Sequence, residues 1–121
     1  MNDKAIIKEK IKLYFDSMYE SNAQLVREVF HPEAKITGYV QENLEEMDTN
    51  EFAKFVGAQQ PSPSENNDPK MLEIVSIEIA GKTAVALVRD DHLNVTYLDT
   101  LSFLKIDDNW VIYNKLFHIE S

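Results

Sequence analysis

The C-terminal part of the chain places the strongest constraint on its fold. Two apolar, β-branched and aromatic runs, Val95–Ile106 and Trp110–His118, are separated by the segment 107–109, which reads Asp-Asp-Asn. Because Asp and Asn tolerate the left-handed backbone of a tight turn, the pattern predicts a β-hairpin with two long strands. The other elements are expected to assemble around this hairpin.

One residue of the hairpin interrupts its apolar face. Asp99 alternates in register with Tyr97, Leu101 and Phe103. A carboxyl group on such a face must be hydrogen-bonded, protonated or exposed to a cavity. The sequence therefore predicts a buried partner or a pocket beside Asp99.

The length and composition exclude several classes of protein. The 121 residues predict one domain, 1–121, that buries about two-thirds of its unfolded surface. There is no cysteine, and the net charge of −9 argues against nucleic acid and anionic membrane as partners. No apolar run approaches the roughly 20 residues of a membrane helix, and the first residues lack the apolar core of a signal peptide. A cytoplasmic location is expected.

Three helices are predicted from apolar periodicity and capping patterns. The first, from Asp3 to Glu20, has one apolar face that turns Tyr14 inward, where its hydroxyl needs a partner. The second begins at the capping pattern 21–24 and is stopped by the His31-Pro32 pair. The third begins at the capping pattern 48–51 and is expected to bury three residues. These are Phe52, Phe55 and Val56.

The remaining patterns complete a sheet. One strand, 34–41, is predicted between the second and third helices, and the strands 71–80 and 83–90 are joined by a turn at Gly81. Four consecutive antiparallel strands after the helices predict an α+β domain whose bent sheet wraps around them. A pocket between the first helix and the sheet is then the default ligand site. The segment 60–69 is rich in Pro, Ser and Asn and is expected to be an exposed connection, with a mobile flap as the alternative.

Four segments together resemble the NTF2-like superfamily, and more narrowly its SnoaL-like and "putative lumazine-binding" branch. They are 14–22, 29–36, 97–106 and 110–118, so the resemblance covers essentially the whole chain. It implies a cone-shaped α+β domain in which three N-terminal helices pack on a strongly bent, mainly antiparallel sheet that encloses a pocket. It also implies a homodimer formed through the outer face of the sheet. The superfamily includes isomerases, dehydratases, cyclases, ligand binders and scaffolds, so the resemblance implies no single activity.

The ketosteroid isomerase pattern of the same superfamily implies roles for two residues and excludes a third. Tyr14 falls where that pattern has its oxyanion-hole tyrosine, and Asp99 falls where it has a protonated, donating aspartic acid. Gly38 stands where the isomerases carry their general-base aspartate. A proton shuttle between carbon atoms at that position is therefore excluded.

The candidate site combines this resemblance with strand alternation. Alternation places Asn114 and His118 on one face with Ile112 and Leu116, and the resemblance turns that face toward the cavity. The predicted ligand-binding residues are Tyr14, Phe30, Asp99, Leu101, Phe103, Asn114, Leu116 and His118. Tyr14, Asp99 and His118 are also the catalytic candidates, with His118 as a base near neutral pH.

Each polar candidate has a structural alternative. Asp99 is as readily explained by a hydrogen bond to Tyr14 or to a nearby backbone group, and His118 by exposure near the C-terminus. His31 is expected to end a helix. His92 lies beside two carboxylates but lacks a second fixed pair of ligands, so no metal site is predicted. The sequence has no glycine-rich phosphate loop, and no cofactor is predicted.

Three functions remain open from the sequence. The first is the binding of a small, apolar or ring-bearing molecule whose carbonyl or hydroxyl group meets Tyr14 and Asp99. The second is an isomerase-, dehydratase- or cyclase-type enzyme that uses Asp99 and His118. The third is a dimeric scaffold whose pocket has collapsed.

Overall fold

The computed structural model describes residues 2–121. Its helices are α1 (Asp3–Tyr19), α2 (Ala23–Val29) and α3 (Thr49–Gly57). Its strands are β1 (Phe30–Val40), β2 (Asn43–Asp48), β3 (Leu72–Ala80), β4 (Thr83–His92), β5 (Val95–Ile106) and β6 (Asn109–Ile119). The six strands of the described residues form one sheet in the order β2-β1-β6-β5-β4-β3. Among these residues, only the β1–β6 pair is parallel. The α+β class and the mainly antiparallel sheet are confirmed.

The C-terminal hairpin forms as the sequence predicts. Strands β5 and β6 pair along nearly their whole length, and Asp107 and Asp108 take positive φ angles of 50° and 63° in the turn. Two consecutive left-handed residues match the right-handed twist of the flanking strands.

The region between α2 and α3 contains two strands rather than the predicted one. Strand β2 returns antiparallel along β1 after a turn at Gln41 and Glu42, whose φ angles are positive. Its sequence, Asn-Leu-Glu-Glu-Met-Asp, is largely exposed because it is an edge strand. An edge strand without a buried face shows no alternation of apolar and polar residues, which explains why the sequence did not reveal it.

The capping pattern predicted for α3 is correct, and that predicted for α2 is shifted by one residue. Asn2 caps α1, and Asp48 and Glu51 form the predicted capping box of α3. The cap of α2 is Asn22 rather than Ser21, which instead takes a φ of 50°. In α3, Phe52 and Val56 are buried as predicted, but Phe55 is 51% exposed.

A dry core lies between α1, α2 and the middle of the sheet. It includes Ile7 and Ile11 of α1, Phe103 of β5 and Trp110 of β6, all at most 1% exposed. The Trp110 indole donates to Asp3 Oδ1 at 3.1 Å, which ties the start of α1 to the start of β6. None of the described helices is both long enough and apolar enough to span a membrane.

The segment between α3 and β3 is held to the protein body. Ser62 and Pro63 are buried, the Tyr19 hydroxyl donates to the Asp68 carbonyl at 2.7 Å, and the Ser64 amide donates to the Tyr19 carbonyl. The expected exposure therefore holds for most of the segment but not for Ser62 and Pro63. These anchors also count against the mobile flap.

Candidate functional site

An open cavity of about 360 Å³ lies between α3, the β1–β2 hairpin and strands β4 to β6. Its apolar walls are formed by Met18, Ile36, Val40, Met47, Phe52, Phe55, Val56 and Phe117. Its polar residues are Glu45, Glu46, Asp90, His92, Tyr97, Asp99 and Lys115. Helix α1 contributes only Met18, so the expected position between the first helix and the sheet was wrong. The short helix α3 and the edge hairpin take that role.

Two carboxyl groups lie side by side in the deep part of this cavity. In the β4–β5 pairing, Asp90 is opposite Tyr97 and Asp99 is opposite Val88, so the two aspartates are diagonal neighbours on the same face of the sheet. Diagonal neighbours of this kind lie within side-chain reach of one another. Each aspartate is only 1% exposed.

Three of the four carboxyl oxygens of this pair have no hydrogen-bond partner in the described protein. The Tyr14 hydroxyl donates to Asp99 Oδ2 at 2.7 Å, whereas Asp99 Oδ1 and both oxygens of Asp90 are buried and unpaired. Unpaired polar groups are costly in a protein interior, and they are found where a ligand, a water molecule or a shared proton completes them.

The electrostatics of the pair favour retention of one proton. Burial, reinforced by the charge of Asp99, raises the pKa of Asp90 to about 8, against a smaller opposing effect of Lys115. Two adjacent carboxylates cannot both ionise easily, so Asp90 retains its proton near neutral pH. The pair then offers one donor and several acceptor positions. Burial beside Asp99 also raises the pKa of Tyr14 well above its usual range, which keeps its hydroxyl protonated.

A buried amine completes the polar part of the cavity. Lys115 is 6% exposed, and its Nζ lies 4.9 Å from the centre of the Tyr14 ring, 4.8 Å from that of Phe52 and 3.9 Å from Met18 Sδ. Such contacts stabilise a cation through the ring faces. Within residues 2–121, no carboxylate oxygen lies within 4.0 Å of this Nζ.

His92 is a neutral member of the cavity wall. Its Nε2 lies 2.9 Å from Gln59 Oε1, an arrangement in which Nε2 carries the proton and donates. Burial, together with the charge of Lys115, lowers the pKa of His92 to about 4. In the described residues, no group of three or more His, Cys, Asp or Glu side chains has the arrangement of a metal site.

The space beside Gly38 is filled by an aromatic ring. A Cβ at this position would lie 2.5 Å from the Phe117 carbonyl oxygen and 2.6 Å from Phe117 Cδ1. Any side chain at position 38 would therefore collide with β6. The position at which the isomerase pattern has its base is occupied by the Phe117 ring, which lines the cavity.

A β-bulge in β6 overturns the predicted facing of three site residues. Ser102 pairs with Asn114 and Phe103 pairs with Ile112, so Tyr113 is an additional residue between them. The extra residue reverses the alternation, and the inward residues after it are Lys115 and Phe117. Asn114, Leu116 and His118 therefore do not line the cavity. Leu116 is 50% exposed and His118 is exposed, on the outer face of the sheet.

The other predicted residues divide between core and site. Phe30, Leu101 and Phe103 are buried in the dry core and do not line the cavity. Asp99 lines it directly, and Tyr14 supports Asp99 from behind. The structure thus brings Tyr14 and Asp99 together but separates both from His118.

Sequence reasoning missed Asp90 and Lys115. Asp90 follows the inward residues Ala84, Ala86 and Val88 at strand spacing, and this alternation was a usable signal. The prediction placed Asp90 at the end of the strand 83–90 and assigned no facing to its side chain. Lys115 had no comparable signal, because its facing depends on the bulge.

The comparisons with known proteins agree with this architecture. A model of the family described as "Putative lumazine-binding" matches residues 2–118. A curated protein named aldolase FrzH, from a Cladobotryum species, is 25% identical over 105 residues, which cover 87% of this chain and 82% of the relative.

Solved structures of NTF2-like proteins are similar in fold. One of unknown function from Silicibacter pomeroyi has a TM-score of 0.88 and 18% identity, over 99% of this chain and 100% of that chain. Another of unknown function, from Methylobacillus flagellatus, has a TM-score of 0.85 and 26% identity, over 98% and 93%. Because the family model spans nearly the entire sequence and the fold is shared, the chain belongs to the "Putative lumazine-binding" family of the NTF2-like superfamily.

Proposed function

We propose that the protein binds a small, largely apolar, ring-bearing molecule whose carbonyl or hydroxyl group meets the Asp90–Asp99 pair. The observation that carries this proposal is that three carboxyl oxygens of Asp90 and Asp99 are buried without a hydrogen-bond partner, in an open cavity with apolar walls. The volume of about 360 Å³ is within the range of small-molecule sites, which combine apolar walls with a few oriented polar groups.

The hydrogen-bond arrangement assigns different tasks to the polar residues. Tyr14 donates its only proton to Asp99, so it orients that carboxyl group and leaves Asp99 Oδ1 for the ligand. The proton of Asp90 can be donated to a carbonyl oxygen, and the remaining oxygens can accept from a hydroxyl group. In place of the expected direct contact between Tyr14 and the ligand, we propose that Tyr14 holds Asp99 and that Asp99 contacts the ligand.

The test is a thermal-shift screen against small aromatic and polycyclic carbonyl compounds. A ligand at one hundred times its Kd stabilises the folded state by about 2.7 kcal/mol. Asp90→Asn and Asp99→Asn are expected to lose the shift. Asp91→Asn is the matched control, because Asp91 faces the opposite side of β4 and accepts from the Thr96 hydroxyl at 2.6 Å. Equal shifts in all four proteins would contradict the proposal.

An enzyme is the second candidate, favoured by the acid–base character of the same pair. The related protein is named an aldolase, and aldol chemistry needs a base beside a carbon atom and a donor at a carbonyl oxygen. A carboxylate and a neutral carboxyl group in one cavity can supply both. His118 is not part of this proposal, since it lies on the outer face of the sheet. Turnover of a bound carbonyl compound that Asp99→Asn abolishes, with the fold retained, would support the enzyme over the simple binder.

The open cavity counts against a scaffold with a collapsed pocket. The homodimer expected from the resemblance is kept as a proposal. We propose that two copies pair through the outer face of β4 to β6, which is rich in apolar side chains. These include Val85, Leu87, Leu98, Leu104, Tyr113 and Leu116. Light scattering at micromolar concentration should give the mass of a dimer, and Leu116→Glu should reduce it toward that of a monomer. A wild-type monomer would contradict this arrangement.

A further inference from the structure

The most unusual group that the binding proposal leaves unused is the amine of Lys115. A lysine side chain is rarely buried unless a carboxylate pairs with it. Here Nζ contacts two ring faces and a thioether, and in residues 2–121 no carboxylate oxygen is within 4.0 Å of it. The same side chain lines the open cavity. An amine so placed is accessible to a small molecule and shielded from bulk water.

The surroundings of this amine match the needs of a covalent reaction with a carbonyl group. Amine nucleophiles in apolar sites form Schiff bases with aldehydes and ketones, and the reaction needs a base for the amine and an acid for the carbonyl oxygen. Asp90 and Asp99 line the same cavity. In the β5–β6 pairing Lys115 is opposite Leu101, so Lys115 and Asp99 are diagonal neighbours on the same face of the sheet.

We propose that Lys115 captures an aldehyde or ketone in this cavity as an imine, with the Asp90–Asp99 pair as its proton donor and acceptor. This inference rests on the proposed binding of a carbonyl compound at the same site and adds the chemical class of the ligand. A hydroxyl compound can occupy the cavity but cannot form this bond.

The proposed step is balanced without an oxidant or a reductant. The carboxylate of the pair takes a proton from the ammonium group through a water molecule, and the free amine adds to the carbonyl carbon. The carbonyl oxygen takes up the proton of the neutral carboxyl group, and the positively charged nitrogen atom gives a proton back to the carboxylate so formed, which leaves a neutral carbinolamine. This species then loses its hydroxyl group as water after a second protonation. One C–N double bond replaces one C–O double bond, and the water leaves through the open mouth of the cavity.

The neighbours of Lys115 favour the persistence of an imine at this position. Nζ lies over the ring faces of Tyr14 and Phe52. Phe117, the next inward residue of β6, lines the same cavity. An imine is hydrolysed readily in water, so apolar walls favour its persistence.

The test uses 6-methoxy-2-naphthaldehyde with sodium borohydride, which reduces an imine to a stable secondary amine. The expected result is a mass gain equal to the aldehyde less one oxygen atom, and peptide mapping should assign it to Lys115. Because a bound aldehyde is held beside the amine, modification there should exceed that of the exposed Lys8 or Lys54 by about tenfold or more. Lys115→Met and Lys115→Arg should both lose the adduct, and Asp90→Asn should slow its formation.

The arginine variant keeps a cation between the rings, so it guards against a loss caused by misfolding. The matched alcohol, (6-methoxy-2-naphthyl)methanol, reports binding alone through the melting temperature. A melting shift with the alcohol but no adduct at Lys115 would overturn the imine and leave the binding proposal intact. An absence of both would overturn the two proposals together. Equal labelling of all lysines, unchanged in Lys115→Met, would also overturn the imine.

Discussion

The two ends of the sheet differ although the same strands run through both. At one end, β5 and β6 carry Leu101, Phe103, Trp110 and Ile112, which are all buried in the core. At the other end, the same two strands carry Asp99, Lys115 and Phe117 beside an open cavity. The change occurs at the β6 bulge, where the alternation reverses. One end therefore supplies stability, and the other retains polar groups that packing alone does not require.

The largest expected effect compares two phenylalanines, one from each end. Phe103→Ala should lower the free energy of unfolding by about 3–5 kcal/mol, because it leaves a cavity in a fully packed core. Phe55→Ala should change it by less than about 1 kcal/mol, since that ring is half-exposed at the cavity rim. Urea denaturation measures both values. Similar losses in the two variants would mean that the ends do not differ in this way.

The next effect concerns Gly38, where β1 lies against Phe117 of β6. Gly38→Ala should destabilise the fold by about 1–3 kcal/mol, because the new Cβ meets the Phe117 carbonyl oxygen at 2.5 Å and backbone cannot move aside cheaply. In the Phe117→Ala background, Gly38→Ala should cost less than in the wild type but still destabilise the fold, since the carbonyl group remains. Gly57→Ala is the comparison, because its Cβ meets only the Ala23 methyl group, at 3.1 Å. If Gly38→Ala has no cost in the Phe117→Ala background, the ring alone is responsible.

The pH dependence of stability should report the polar end of the molecule. The folded-state pKa of Asp90 is raised from 3.8 to about 8, so its stabilising effect is complete below 3.8 and is lost as the pH rises through 8. The folded-state pKa of His92 is lowered from 6.5 to about 4, so its effect is lost as the pH falls below 6.5. Below pH 6.5, the effects of Asp90 and His92 on the free energy of unfolding oppose each other. Between pH 6.5 and 8, of these two groups only Asp90 changes it.

Stability should therefore decline between pH 6.5 and 8, by no more than about 1.4 kcal/mol per pH unit. Asp99, Tyr14 and Lys115 share this environment, so substitution of any of them should alter the slope. Asp90→Asn should abolish the decline, and Asp91→Asn should leave it in place. Urea denaturation at a series of pH values provides the measurement. A decline that persists in Asp90→Asn would assign it to another group.

The smallest expected effect tests the bulge itself. Leu116→Ala and His118→Gln should change the Kd of a cavity ligand by less than about twofold, because both side chains lie outside. Had the alternation continued unbroken along β6, both would line the cavity, and losses near those of Asp90→Asn would follow. Calorimetric titration of the ligand found in the thermal screen distinguishes the two cases.

Much of the fold could be predicted from local patterns. The inward face of α1, the hairpin turn at 107–108 and the capping box of α3 each follow from a few neighbouring residues. Tyr14 and Asp99 could be paired because each is a polar group on a strongly apolar face, and burial requires a partner for both. Strand β2 could not be predicted, because an edge strand with two exposed faces carries no periodic signal.

The class of fold, the buried faces of the main elements and the presence of a carboxyl group that needs a partner all follow from local sequence patterns. Tertiary structure alone decided which side chains share the cavity. A single additional residue in β6 reverses the facing of every residue after it, so Lys115 enters the site and His118 leaves it. The pairing of Asp90 with Asp99 likewise depends on the register of two strands. Register and bulges are set by contacts between distant segments, and the local spacing of residues does not encode them.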